Sequence, residues 1–170
     1  MRKNINTEHT FLLAPFYKGW GSYQHHLVHA LAPLSPEQLD LRAAPHLRSV
    51  GIIATHIIGA RARWLYHVLK EGGENLVSLG TWDDPGQLAK SADELVSGLE
   101  ATWQVIQDAL QRWTISDLEE ILHDTDDNGE EEEQAITRQW VIWHLIEHDL
   151  HHGGELSFVL GMHSVAAIDL

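Results

Sequence analysis

The sequence contains no cysteine, which removes two kinds of stabilising chemistry. Disulfide bonds are excluded, and so are zinc sites that use thiolate ligands. A transition-metal site would have to be built from imidazole and carboxylate groups. At 170 residues the chain is long enough for a single domain, residues 1–170, that buries a core without such cross-links.

Basic residues are also scarce in this sequence. Eleven lysines and arginines stand against 25 aspartates and glutamates, which gives a formal charge of −14. A field of that sign repels nucleic-acid backbones and anionic lipid headgroups. The nearest approach to a basic patch, formed by Arg42, Arg48, Arg61 and Arg63, is spread along the chain. We therefore expect no nucleic-acid partner.

Long apolar runs are missing as well. The apolar segment 11–16 is too short for the core of a signal peptide and contains Pro15. No other stretch approaches the roughly 20 apolar residues that a membrane-spanning helix needs. The sequence therefore predicts a soluble, cytoplasmic protein that has no membrane partner.

Helical periodicity is the main pattern that the sequence does contain. Ser49 is a candidate N-cap for the second of four amphipathic segments, and residues 35–38 predict a short helical turn. No region is rich in strand signals. We therefore predict an all-α fold, a four-helix bundle, whose core is a usual place for metal ligands. The four predicted helices cover about residues 8–32, 50–71, 85–113 and 136–160.

The third predicted helix has a continuous apolar stripe with the three- and four-residue spacing of a helix face. This face is predicted to be buried against the other helices. Its members are Leu88, Ala92, Leu95, Leu99, Trp103, Ile106 and Leu110.

Thirteen histidines are a large excess for a chain of this length. His148 and His152 are four residues apart, so on a helix both side chains point to the same side and can share one cation. His144 and His148 have the same spacing, and His148 and His151 are three apart. Spacing alone does not choose among these pairs, but His148 belongs to all of them.

A third ligand would have to come from another helix. His56 is the best candidate, because it lies on the apolar stripe of the second predicted helix between Ile52, Ile53 and Ala60. A polar ring on a buried face needs a partner. A lone histidine on such a face is also often a hydrogen-bonded core residue, so this pattern by itself leaves both interpretations open.

The acidic segment 124–133 resembles the start of a calcium-binding EF-hand loop at Asp124, Asp126 and Asn128. The twelfth position of such a loop should be a bidentate glutamate, but here it is Ala135. We therefore interpret the segment as a solvated loop.

Three stretches of the chain resemble the DinB / YfiT-like family of metal-dependent enzymes. They are residues 34–39 with 48–60, residues 143–156, and residues 160–163. The resemblance implies a four-helix bundle, often a homodimer, with His56, His148 and His152 as metal ligands between helices two and four. Where the family usually has arginine and glutamine after the last ligand, this chain has Gly153 and Glu155.

The resemblance also indicates a class of chemistry. Characterised relatives of this family include bacillithiol S-transferases and mycothiol-dependent maleylpyruvate isomerase. We therefore expect a metal-dependent enzyme for a small molecule, with a low-molecular-weight thiol as a candidate cosubstrate. Zinc or nickel is the expected metal, and iron also suits three imidazoles.

Nearby carboxylates are candidates for supporting roles in this chemistry. Glu155 lies three residues after His152, so we predict that it is a catalytic proton acceptor. The alternative role of Glu155 is that of a surface carboxylate. Asp149 and Glu147 are candidate hydrogen-bond partners of imidazole N–H groups, and their alternative is also a surface charge.

The rival hypothesis is a protein in which the metal is structural or stored. Such a site should be closed by a fourth protein ligand, for example His144, His151 or a carboxylate.

The seven tryptophans lead to a further expectation. Trp20, Trp82 and Trp113 are not clearly on the core stripes, and aromatic residues are enriched at the centres of interfaces. We therefore predict a homodimer.

Overall fold

A computed structural model of the chain describes residues 13–122 and 135–170, which are mostly helical. The α3 helix continues as a π-helical turn, Trp64–Val68, and a 3-10 helix covers Ser116–Glu119. Two short antiparallel strands pair Ile121 with Thr137. The α-helices are α1 (Lys18–Leu31), α2 (Pro36–Leu39), α3 (Val50–Arg63), α4 (Glu74–Leu79), α5 (Ala92–Arg112) and α6 (Arg138–Met162), and the strands are β1 (Ile121–Leu122) and β2 (Ile136–Thr137).

Side-chain caps set where the long helices begin. Ser49 Oγ accepts the backbone N–H of Ile52, which confirms the predicted N-cap of α3. Ser91 and Glu94 form a capping box at the start of α5. This cap corrects the prediction that the third helix begins near residue 85. Gly86 in the preceding segment has φ +87°, a conformation that does not continue into a helix.

Two side chains predicted to be buried are exposed. Leu88 precedes the first turn of α5 and is 83% exposed, because the helix that was to bury it starts later. Ile52 is 43% exposed and lines a cavity beside the first turn of α3. The predicted start of the first helix near residue 8 and the segment 124–133 lie outside the described residues. Within them the prediction for the first helix is wrong at residues 13–17, which form a bend and turns around Pro15, and α1 begins only at Lys18.

The four long helices share two apolar clusters, one at each end. Helix α3 packs against α5 and α6, and α1 packs mainly against α5. The first cluster includes Trp20, Leu65, Ile106 and Leu145. The second includes Leu27, Ile57, Leu99 and Leu156. Each long helix therefore contributes to both clusters.

Each long helix also contributes one buried polar side chain, which stands in the sequence between residues that the helix gives to the two clusters. We call these four side chains the buried polar layer. Its members are Gln24, Arg61, Thr102 and Asp149, and none of them is more than 2% exposed. The guanidinium of Arg61 donates to both carboxylate oxygens of Asp149 at 2.7–3.1 Å and to Gln24 Oε1 at 2.7 Å. Thr102 bonds to carbonyl oxygens of its own helix. These bonds compensate part of the cost of burying the charges.

The tryptophans that motivated the dimer prediction are largely internal. Trp20 is 6% exposed and donates its indole N–H to Asp149 Oδ2 at 2.6 Å. Trp113 is 7% exposed, with the Arg138 guanidinium 4.3 Å from its ring centroid. Trp82 is partly buried against the second cluster. These rings pack inside the protein, so they no longer support the homodimer. The homodimer stays a prediction.

No helix in residues 13–122 or 135–170 combines the length and the apolar character needed to cross a membrane.

Gly153 and Gly154 are neighbours on α6 with opposite surroundings. A Cβ on Gly153 would lie 2.1 Å from the Tyr23 hydroxyl and 3.1 Å from Leu27, whereas one on Gly154 would meet nothing within 4 Å. We predict that Gly153→Ala destabilises the fold by about 1–3 kcal/mol through overpacking. Gly154→Ala should be stabilising by up to about 1 kcal/mol, because alanine favours the helix. Urea unfolding of both variants measures the difference, and equal effects would contradict the packing argument.

Candidate metal centre

Helices α3 and α6 bring His56, His148 and His152 together. The Nε2 atoms of His56 and His148 are 3.2 Å apart, and one ring nitrogen from each of the three lies within 4.8 Å of the others. The ring centroid of His152 is 4.7 Å from that of His56 and 4.4 Å from that of His148. The three predicted ligands therefore form one cluster, which we call the histidine cluster.

Asp83 holds the His56 ring from the side away from the cluster. His56 Nδ1 is 2.8 Å from Asp83 Oδ2. Arg63 holds the carboxylate in turn, with Nη1 and Nη2 at 2.6 and 3.0 Å. Gly59 makes room for this arrangement, since a Cβ there would lie 2.4 Å from Asp83 Oδ1. The orientation of His56 is thus fixed by a chain of charged hydrogen bonds.

Glu155 holds His152 in the same way. His152 Nδ1 is 2.6 Å from Glu155 Oε2, and Arg48 Nη2 lies 3.2 Å from that oxygen. Arg48 also approaches His152 Nδ1 at 3.4 Å. We assign the Nδ1 hydrogen bond to Glu155, because that contact is shorter and a guanidinium only donates. The carboxylate predicted to be catalytic therefore supports a ring of the cluster.

These two contacts determine the tautomers of His56 and His152. A carboxylate only accepts hydrogen bonds, so the Nδ1 atom facing it must carry the hydrogen. In the neutral ring, Nε2 then has a free lone pair. Two lone pairs are consequently directed away from the carboxylates, as in metal-binding histidines whose other nitrogen is held by a carboxylate.

The cluster fits a transition-metal ion. Two ligands of a tetrahedral ion, each about 2.0–2.1 Å from it, are about 3.3 Å apart. The separation of 3.2 Å between the Nε2 atoms of His56 and His148 is close to that value. The buried Nδ1 of His148 has no hydrogen-bond partner in the described part of the chain. Within that part, no fourth histidine or carboxylate completes the cluster.

Burial favours the neutral form of two rings of the cluster, His148 and His152. It lowers the pKa of His148 to about 3, and repulsion from His152 and His56 adds to this effect. Burial likewise lowers the pKa of His152, although the Glu155 hydrogen bond opposes that shift. Burial alone would raise the pKa of Asp83, but hydrogen bonds from Arg63 and His56 lower it. Neutral imidazoles and an ionised carboxylate are the forms that metal binding needs.

His144 and His151, the competing histidines of α6, are peripheral to the cluster. The His144 ring stacks on Trp140 at 5.0 Å, and its centroid is 6.1 Å from that of His148. His151 is exposed and can join a second group with His152 and Glu155. The guanidinium of Arg48 lies 3.2 Å from Glu155, which disfavours a cation there.

Asp149 and Glu147 do not hold any ring of the cluster. Asp149 is fully buried with Arg61, which overturns its interpretation as a surface charge. Glu147 is exposed and lies 3.3 Å from His144. The supporting residues that sequence reasoning missed are Asp83, Arg63 and Arg48. Asp83 and Arg48 are 27 and 104 positions away from the histidines that they contact, so no local spacing signals them. Arg63 contacts Asp83 and no histidine of the cluster.

We predict that Asp83→Asn weakens metal binding by about 10- to 100-fold, as is usual when the partner of a ligating imidazole is lost. The amide retains the shape of the side chain but not its charge, and it also removes the charged partner of Arg63. Competition with a chromogenic chelator measures the metal affinity. Asp84→Asn is the matched control, because Asp84 is adjacent and exposed. Equal affinities in the two variants would contradict the role of Asp83.

The low pKa of His148 also predicts a pH dependence of unfolding in chelator-treated protein. Below about pH 6.5 the unfolded His148 takes up a proton that the folded ring does not, so the free energy of unfolding falls. Urea midpoints at about pH 7.5 and pH 5.5 measure this loss. It should be smaller in His148→Gln and unchanged in His29→Gln, which alters an exposed ring. An equal loss in all three proteins would contradict it.

Comparisons with known proteins bear on the fold and the family. A family model described as the DinB superfamily matches residues 23–156. A DinB-like structure from Bacillus cereus ATCC 10987 is similar with a TM-score of 0.71 and 24% identity, over 94% of this chain and 97% of that one. A DinB-family structure from Exiguobacterium sibiricum 255-15 has a TM-score of 0.61 and 18% identity, over 93% and 95% of the two chains. No curated protein matches the chain.

Proposed function

Since the chain belongs to the DinB superfamily, we propose that it is a metal-dependent enzyme that acts on a small molecule. His56, His148 and His152 are the metal ligands in this proposal. The observation that carries it is the pair of Nε2 lone pairs that Asp83 and Glu155 direct away from themselves. We further propose that α1, α3, α5 and α6 form a four-helix bundle around this site.

Three neutral imidazoles suit a catalytic site, because such a site keeps a coordination position for water or substrate. A divalent ion held there would lower the pKa of a bound water or thiol and polarise a substrate. The chain has no cysteine, so a reacting thiol would have to come from a cosubstrate. Zinc and nickel are the proposed metals, and iron also suits the ligand set.

The protein side chains have distinct roles in this proposal. Asp83 and Glu155 keep the hydrogen on Nδ1 of His56 and His152, so that Nε2 stays available. Arg48 and Arg63 keep those carboxylates ionised and in place. The Glu155 side chain is 40% exposed, which leaves it accessible to a substrate. Its role as a proton acceptor therefore remains part of the proposal.

The test is a thiol-transfer screen on protein purified without a polyhistidine tag. Metal-loaded and chelator-treated samples are compared with low-molecular-weight thiols and electrophilic small molecules as substrates. We expect thiol consumption only in the loaded sample, and its loss in His148→Ala. Thiol consumption that continues unchanged after complete metal removal would overturn the proposal.

A non-catalytic metal site is the second candidate, and it would need His144, whose ring centroid is 6.1 Å from that of His148, to move in as a fourth ligand. A fourth imidazole would close the coordination sphere and make the metal structural or stored. His144→Ala distinguishes the two candidates. A catalytic three-histidine site should retain its metal in this variant, whereas a closed four-histidine site should lose much of its affinity.

A further inference from the structure

A cavity of about 680 Å³ lies beside the histidine cluster, between α2, the first turn of α3 and the segment before α5. Its volume is within the range of about 300–1,000 Å³ that is usual for small-molecule sites. Asp83 belongs to both places, because it lines the cavity and holds the His56 ring. A molecule in the cavity would therefore contact the carboxylate that orients His56.

The walls of the cavity combine apolar surface with an aromatic ring. Ile52 and Leu88 line it and are 43% and 83% exposed. Trp82 is partly buried against the core and also lines it. Exposed apolar side chains around a concave surface are typical of a ligand site.

The charges around the cavity favour a cation. Four carboxylates line it, against the two cations Arg42 and Lys90. Asp40 is paired with Arg42 at 3.0 Å and Asp83 with Arg63 at 2.6 Å, which leaves Asp84 and Glu94 without an arginine partner in the described part of the chain. The Lys90 ammonium group lies 4.8 Å from the centroid of the Trp82 ring. That distance is below the limit of about 6 Å to the ring centroid for a cation–π contact. The ring face thus already holds an ammonium group, supplied by the chain itself.

We infer that this cavity binds a small amphipathic molecule that carries an amine. Its ammonium group replaces that of Lys90 on the Trp82 ring and lies near the carboxylates, while its apolar part contacts Ile52 and Leu88. This binding does not require a metal ion. The role of the molecule as the substrate rests on the proposed function, because a reaction takes place beside the cavity only if the protein is an enzyme.

Three probes of similar size and different charge test the inference by isothermal titration calorimetry: phenethylamine, 2-phenylethanol and 3-phenylpropionate. We expect the amine to bind about tenfold or more tightly than the carboxylate, with the alcohol between them. Trp82→Leu should weaken amine binding about threefold or more. Equal affinities for the three probes would overturn the inference.

Lys90→Met supplies a sharper test, because it removes the internal competitor for the Trp82 ring. We expect this variant to bind phenethylamine about threefold or more tightly than the unmodified protein. Lys18→Met makes the same change in net charge on an exposed part of α1 and should leave the affinity unchanged. Weaker or unchanged binding in Lys90→Met would overturn the inference, even if Trp82→Leu fails to fold.

Metal content is measured in the same samples, so the two proposals fail separately. Normal metal binding without amine selectivity would overturn the cavity inference and leave the metal centre standing. Amine selectivity in a protein that binds no metal would support the cavity and overturn the metal-dependent function.

Discussion

Replacing His148 with alanine is expected to lower the metal content from about one ion per chain to almost none. His148 contributes the Nε2 atom that lies 3.2 Å from that of His56, and its ring contacts His152. Without it, two imidazoles from different helices remain, which is too few for a tight site. Elemental analysis of protein purified without a polyhistidine tag measures the metal content.

The same loss should be visible in thermal stability. If a metal binds only the folded state and its free concentration is about 100 times its Kd, it stabilises that state by about 2.7 kcal/mol. We expect a chelator to lower the melting temperature of the unmodified protein and to have almost no effect on His148→Ala. His151→Ala is the matched control, because this neighbouring ring on α6 is exposed. Unchanged metal content in His148→Ala would place the site elsewhere, with His144 and His151 as the next candidates.

Arg61→Met is expected to have the largest effect on stability, a loss of about 3–5 kcal/mol. Arg61 and Asp149 are both completely buried and are 2.7 Å apart. Removing the guanidinium leaves a buried carboxylate whose remaining described partner is Trp20, at 2.6 Å. Because an unpaired buried charge is much more costly than a well-packed apolar side chain, Arg61→Met with Asp149→Leu should restore most of the loss.

Arg112 and Glu71 provide the control for this experiment. Their charged atoms are also close, at 2.6 Å, but the Arg112 side chain is 58% exposed. Arg112→Met should therefore cost no more than about 1 kcal/mol. Urea unfolding measures all four proteins. If Arg61→Met costs no more than Arg112→Met, burial does not make the Arg61–Asp149 pair important for stability.

The helices and the histidine cluster were predictable to different degrees. Local signals identified the Ser49 cap and the spacing of His148 and His152, because both depend on residues within one or two turns. Periodicity alone placed Leu88 on a helix, since an apolar residue before a cap can continue the same spacing by chance. Spacing on α6 also left several histidine pairs open, and the choice of a pair came from the family resemblance.

Long-range contacts account for what the sequence did not predict. Asp83 lies 27 positions after His56, in a segment without regular structure, and only the folded backbone brings them together. Asp149 follows a candidate ligand directly, which suggested a role near the metal. Its position on the helix instead directs it towards Arg61, on the interior side of α6.

The buried polar layer also restricts how the helices can align with one another. A slip of one helical turn moves a residue by about 5.4 Å along the axis. Such a slip between α3 and α6 would take Arg61 away from Asp149 and place each charge opposite apolar side chains. The apolar clusters alone would tolerate that slip far better, because leucine and isoleucine pack in many combinations. The layer therefore acts as a register mark, which selects one alignment of the helices from several that bury similar apolar area.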